Sequence, residues 1–320
     1  QSETAQQSIV SGWGGQQVFA GPQIVLPYQA KVTESVEQNG KTVTRTNIVS
    51  RELFVAPELV KLDSKLNTET KKRAIYEVIV YDTAITGSAV FKLPDDLDRY
   101  GVTRDRIDFS RAELRFGLSD ARGLAGDNKV SVNGEALELQ PGKGLGATGN
   151  SGFFAFLDSS ALESGEIEAK FDVRFKGNQS LTIAPNAGQT EWTVQSTWPH
   201  PSFAGSFLPE SRTINADGFE AKYVITNLAL GTSLIANDAG EEVHPMRAKD
   251  MSYSGAEYGN AVAASATVDL IQPVDLYGQV DRAAKYGFLI IGFTFVAFLL
   301  FDLIGGVRIS SVQYILVGVA

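Results

Sequence analysis

Ile167-Glu168-Ala169-Lys170-Phe171-Asp172-Val173-Arg174-Phe175 alternates apolar and charged residues without a break. Successive side chains of a strand point to opposite faces, so this pattern makes a strand with one buried face and one wet face. The same period of two recurs in Ile75 to Tyr81, Ser88 to Leu93, Glu113 to Phe116, Lys129 to Val132, Glu191 to Val194 and Ala221 to Thr226. These runs are rich in β-branched and aromatic residues, and Gly, Asn, Pro and Asp bound them. Val132-Asn133-Gly134-Glu135 predicts a hairpin, because Asn-Gly tolerates the positive φ of a type I′ turn. Asn39-Gly40, between Val36 and Val43, predicts a second. Helical signal is sparse before the C-terminal region: Gln1 to Ser11, Leu97 to Tyr100 and Ser159 to Glu163. The expectation from about Val18 to Leu270 is a mostly antiparallel sandwich, one extended or two stacked.

The chain changes character near its end. From Tyr286 to Val307 it is apolar apart from Thr294 and one charge, Asp302. A helix needs roughly 20 apolar residues to cross a bilayer core about 30 Å thick. A secretory signal is shorter and N-terminal, and a core helix keeps a polar stripe, so a transmembrane helix fits best. Tyr277 and Tyr286 are placed to sit at the interface, with Arg282 and Lys285 snorkelling to headgroups. Asp302 lies near the far end, and Asp302→Asn is expected to leave insertion and stability nearly unchanged. A second apolar run, Val312 to Ala320, reads as the start of a further membrane helix, with Arg308 in the turn between. The basic residues on the two sides leave orientation open. The predicted fold class is therefore mainly β, a large antiparallel β-sandwich followed by transmembrane α-helices. The predicted boundaries are 18–280 for the β-domain, 281–307 for the membrane helix and 308–320 for the turn and next helix.

Composition narrows the chemistry. The formal net charge of −9 argues against nucleic acid, which needs a basic surface. With no cysteine there is no disulfide framework and no thiol chemistry. Gly144-Leu145-Gly146-Ala147-Thr148-Gly149 has dinucleotide-fingerprint spacing, but no strand-then-helix context surrounds it, so it reads as a Gly-rich loop. The histidines are His200 and His244. His244 follows Glu241 and Glu242, which read as acidic loop surface rather than a metal cluster. No serine sits in a nucleophile elbow. The reading is of no catalytic residues, no metal and no cofactor. Trp198-Pro199-His200-Pro201-Ser202-Phe203, followed by Phe207, is a rigid aromatic segment. It reads as an irregular crossover packed on a sheet, with a binding face as the alternative.

Several blocks resemble one family in order along the whole chain. They are Gly14-Gly15, Gly21-Pro22, Pro27-Tyr28, Arg73 to Val78, Gly117-Leu118-Ser119-Asp120-Ala121-Arg122-Gly123-Leu124, and the Trp198 to Phe203 segment with Phe207-Leu208-Pro209. Gln272 to Tyr277, then Arg282 to Tyr286, completes the set. The chain resembles the CreD family, bacterial inner-membrane proteins linked to cell-envelope integrity. The resemblance implies a membrane helix upstream, with residues 1–17 as a juxtamembrane segment, and a periplasmic β-domain. It also implies several C-terminal membrane helices, a multi-pass inner-membrane location and a cytoplasmic Arg308. Gly305-Gly306-Val307 is less basic than such a cytoplasmic turn usually is. The resemblance brings no reaction. The function expected is a non-catalytic envelope component. Its partners would be the lipid bilayer and an envelope protein, glycan or lipid. A transport or lipid-handling unit with a periplasmic cap is the alternative, and a periplasmic hydrolase ranks last.

Overall fold

Alternating side chains bury one face of each strand, and two such faces closed on each other make the core. The computed structural model describes residues 13–38, 41–73, 76–163, 165–237, 264–272 and 276–305. Among them are seventeen strands: β1 (Gln17–Gln38), β2 (Lys41–Val55), β3 (Leu59–Arg73), β4 (Tyr76–Lys92), β5 (Ala112–Leu118), β6 (Lys129–Val132), β7 (Glu135–Ala136), β8 (Leu139–Pro141), β9 (Gly152–Leu157), β10 (Glu166–Asn178), β11 (Ser180–Ala184), β12 (Gln189–Ser196), β13 (Pro201–Gly205), β14 (Ser211–Asn215), β15 (Gly218–Thr226), β16 (Ile235–Asn237) and β17 (Ala266–Leu270). A one-turn helix, α1 (Asn227–Leu230), a long one, α2 (Leu276–Gly305), and six short 3-10 turns complete the described set. The chain divides into two compact units, Gln1–Ile271 and Gln272–Ala320.

One sheet runs β13-β17-β11-β1-β5-β9-β8, with β2 added to β1 and β16 to β2; the other runs β14-β15-β12-β3-β4-β10-β6-β7. The expected antiparallel pairing holds except at two places, where β1 lies parallel to β11 and β3 parallel to β12. In β10 the apolar set from Ile167 to Phe175 is buried, while Glu168, Lys170 and Arg174 face water. Gly87 stands opposite Phe171 on the neighbouring strand, and a Cβ there would sit 2.6 Å from the phenyl ring. The missing side chain is what lets Phe171 lie flat on β4.

The two sheets share one main core. Phe19 of β1 packs on Phe171 and Phe175 of β10 at 6.4 and 6.3 Å between ring centres. Phe116 of β5 meets Phe171 edge-on at 5.3 Å. The buried Tyr81 hydroxyl of β4 donates to the Ser180 carbonyl of β11 at 2.7 Å, tying one sheet to the other. Trp192 stacks on Tyr223 at 4.8 Å and donates its indole N–H to Ser64 Oγ at 2.9 Å. The choice left open by the sequence, one sandwich or two stacked, is thus resolved as one.

Local predictions land on particular turns. Val132 pairs with Glu135, with Asn133 at φ 49 and Gly134 at φ 89, the positive-φ hairpin read from Asn-Gly. Leu97–Tyr100 and Ser160–Glu163 are short 3-10 turns. Asn39-Gly40, Gln1 to Ser11, His244 with Glu241 and Glu242, and Arg308 lie outside the described residues. From Pro27↔Glu52 to Gln38↔Lys41, β1 and β2 pair with each other well past the rest of their sheet. Near its base the ribbon is met from the side by the Tyr28↔Ile107 bridge, by the Asp108 N–H on the Pro27 carbonyl and by Arg115 on Glu52.

In the second unit, α2 begins at Leu276, ten residues before the apolar run, because residues 276–285 contain no helix breaker other than Gly278. Leu289, Ile290, Phe293, Val296, Leu299 and Leu303 are exposed at successive angles around it. Thr294 returns its hydroxyl to the Ile290 carbonyl at 2.9 Å. Among the described residues no helix is long and apolar enough to cross a membrane. The side chains of Phe288, Phe301 and Asp302, all within this run, lie outside the described residues.

Candidate functional site

The registers bring five strand termini to one end of the sandwich. These are the starts of β1, β11 and β13 and the ends of β10 and β17. The chain arrives here through Trp13–Gln16 and leaves here at Ile271. A knot of buried polar groups closes this end. Gln17 is fully buried; its amide N–H groups donate to the carbonyls of Lys176 at 2.8 Å and Asp120 at 3.1 Å. Its carbonyl oxygen accepts from the Asp120 N–H at 3.1 Å and the Ser119 hydroxyl at 3.2 Å. Asn178 donates its side-chain amide to the Gly14 carbonyl at 2.7 Å. Gly14 has φ 84, and a Cβ there would press on the Lys176 carbonyl oxygen at 2.8 Å. A glycine is therefore what allows the chain to turn into β1.

Asp120 is the charged member. Its carboxylate accepts from the Gly15 N–H at 2.9 Å and from Arg122 Nε and Nη2 at 2.9 and 2.8 Å. The Arg122 hydrogen bond, reinforced by the Gly15 N–H against the cost of burial, holds this carboxyl below the usual range. Beside the knot, the Trp13 ring lies under two ammonium groups, Lys176 Nζ at 4.7 Å and Lys71 Nζ at 5.1 Å from its centre.

Trp198 to Phe203 reaches the same end. Its first half is the crossover from β12 in one sheet to β13 in the other, and Pro201 opens β13, which pairs with β17 from Pro201↔Leu270 onward; prolines suit such an extended path and strand start. Trp198 donates its indole N–H to the Ile271 carbonyl at 2.9 Å, and the Ile271 N–H donates to the His200 carbonyl at 3.0 Å. Trp198 also meets His200 edge-on at 6.3 Å. Phe203 packs edge-on against Phe219 at 5.9 Å, with the Arg212 guanidinium 5.7 Å from its other side. Trp198, Phe203 and Phe207 are partly buried against the core; Pro199 and Pro201 are intermediate and His200 is exposed. The segment thus both packs on the sandwich and clasps the point where the chain leaves it.

Of the other sequence-predicted residues, Lys285 and Tyr286 are exposed on α2. The side chains of Tyr277, Arg282 and Asp302 lie outside the described residues. The Gly-rich loop closes on a single 3-10 turn, Gly146–Thr148, and leads straight into β9. Its Leu145 is buried against Ala20 and Ala184. Lys143, at its start, completes a second polar cluster. Arg115 donates to Glu113 Oε2 at 2.8 Å and to Glu52 at 2.5 and 3.2 Å, while Lys143 reaches Glu113 Oε1 at 2.5 Å. Burial works against the Arg115 charge, but its bonds to Glu52 and Glu113 outweigh that and hold its pKa above the ordinary value. Two carboxylates balance two cations, so the cluster is a closed ion network on the sheet.

Sequence reasoning missed Trp13 and Gln17, which carry no local pattern, and met Asn178 only as the first residue of the glycosylation acceptor pattern Asn178-Gln179-Ser180. It caught Asp120 and Arg122 only inside a quoted block. Three of those blocks, Gly14-Gly15, Gly117 to Leu124 and Trp198 to Phe203, meet at this one end of the fold. A family model described as Inner membrane protein CreD matches residues 1–320. The chain belongs to the CreD family. It is 31% identical over 316 residues to the inner membrane protein CreD of Escherichia coli (strain K12), covering 98% of this chain and 64% of that protein. The chain therefore spans a little under two-thirds of the curated relative it matches. The CreD family is one of inner-membrane proteins, and three of the quoted blocks converge at the entrance and exit of the sandwich.

Proposed function

We propose that this chain is part of a multi-pass inner-membrane protein whose β-sandwich stands in the periplasm. There it supports the cell envelope by binding a partner rather than by catalysis. The observation that carries the reading is the apolar girth of α2. A helix with Leu289, Ile290, Phe293, Leu299 and Leu303 exposed around its circumference is matched to hydrocarbon, not to water. The run Tyr286 to Val307 has the length for one crossing. Because the chain has no cysteine, a single Lys170→Cys label is specific. A membrane-impermeant maleimide should label it in intact spheroplasts. Labelling only after permeabilisation would reverse the topology.

The binding half of the reading is supported by the β1–β2 ribbon. A free two-stranded ribbon is marginal in water, and this one carries an exposed Ile48 at 65%. Such an arm is suited to an envelope protein that covers it. Shortening the arm by joining Ala30 to Val49 through Asn-Gly, in the full-length protein, should leave folding and insertion intact and raise detergent sensitivity of the cells. Unchanged sensitivity with a folded protein would remove the arm from the function.

A further inference from the structure

The chain has three tryptophans, and the structure sorts them into two classes. Trp192 is 1% exposed in the middle of the core. Trp13 and Trp198 are partly exposed, and both sit at the end where the chain enters and leaves the sandwich. Hydrogen bonds run in series between them. Gly15 accepts from Asn178, Gln179 accepts from Leu270, His200 accepts from Ile271, and Ile271 accepts from Trp198. Ile271, at 49%, and Ile214, at 48%, are exposed at the same end. We infer that this end of the sandwich rests in the phospholipid headgroup layer, with Trp13, Trp198 and Ile271 as its interfacial anchors. The inference rests on the membrane reading of α2 and deepens it.

Two arguments select the bilayer surface as the occupant. The first is reach. Only residues 272–275 lie between Ile271 and Leu276, where α2 begins, and ten more precede the apolar run at Tyr286, so the tether between this end and a bilayer-spanning run is short. The second is chemistry. Indole rings are enriched at the headgroup level, where a partly exposed aromatic face gains apolar cover, and since the Trp198 N–H is already bonded to the Ile271 carbonyl its contribution is the ring face. Lys71 and Lys176 flank Trp13, and long amphipathic side chains of this kind cover apolar surface while keeping the charge wet. The patch is not strongly basic, since Lys71 is paired with Glu69 at 2.6 Å, Lys72 with Glu77 and Arg122 with Asp120 at 2.8 Å. Anchoring therefore comes from the aromatic rings, and zwitterionic phospholipid should suffice.

The test uses the whole chain reconstituted into phosphatidylethanolamine–phosphatidylcholine vesicles, with or without phosphatidylcholine brominated on the acyl carbons nearest the headgroup. Flotation is measured first. Bromine quenches indole only at short range, so Trp192 serves as an internal unquenched reference. The expected result is a loss of tryptophan emission in brominated vesicles that disappears in Trp13→Phe/Trp198→Phe. Should the double variant fail to fold, Trp13→Phe alone should shrink the loss, because that ring lies outside the core. A chain that floats with unquenched emission, or whose loss persists in the folded double variant, overturns the docking while leaving the membrane reading intact. A chain that does not float overturns both.

Discussion

Gln17 does at residue scale what a strand ladder does elsewhere: it saturates the backbone of its neighbours. Its amide serves the Lys176 and Asp120 carbonyls and the Asp120 N–H from a fully buried position. Gln17→Leu keeps the bulk and strands those groups. At about 1–3 kcal/mol per buried unpaired group, urea melts should register a loss of about 3 kcal/mol or more. An unchanged midpoint would mean that water enters and replaces the amide. Trp198 sets a different scale. A fully buried aromatic truncated to Ala costs about 3–5 kcal/mol, but Trp198 is only partly covered, so Trp198→Ala should cost about 2 kcal/mol, against about 4 kcal/mol for Trp192→Ala. Asp120 gives a pH signature. Its folded pKa is depressed, so its contribution is complete above the unfolded value, about pH 4, and is lost as pH falls through the folded value. Asp120→Asn should therefore flatten the fall of stability below about pH 4. Asp269 acts in the opposite sense, because burial raises its pKa and acid relieves the strain of its charge. A variant as acid-sensitive as the parent would show that other carboxylates dominate.

At the scale of elements, turns and faces were legible because their signals are local. The β6–β7 turn needs positive φ at Asn133 and Gly134, and Asn-Gly states that in two letters. A Cβ at Gly134 would meet nothing within 4 Å, so Gly134→Ala isolates the backbone term. It should cost about 1 kcal/mol, the penalty for left-handed geometry, and a neutral result would mean that the turn changes type. Helix α2 carries the other test. Val296→Arg puts a charge at the middle of its apolar run, where it costs about 3 kcal/mol in a bilayer. The fraction of chain resisting alkaline extraction should fall accordingly, and full retention would argue that this face of α2 does not meet lipid.

For the whole molecule, one core spanning both sheets implies one cooperative unit. Phe19, Phe116 and Phe171 are shared between the sheets, so neither sheet keeps a buried face without the other. Denaturation of the β-unit should follow a single transition with coincident tryptophan fluorescence and far-ultraviolet dichroism. Two resolved transitions would revive the picture of two stacked sandwiches.

The sequence by itself determined the period of two, the Asn-Gly hairpin, the apolar run of α2 and the absence of thiol chemistry. Each follows from residues adjacent in the chain, where side-chain direction and φ preference are local properties. Tertiary structure alone decided that the sandwich is single, that β1–β11 and β3–β12 are parallel, and that Trp13 and Trp198 share one end. Strand alternation says which face is buried but not which strand lies beside which. Partners 163 residues apart, such as Gln16 and Gln179, meet only once the register is set. Gln17 read as one more polar residue until the fold placed three backbone groups around it.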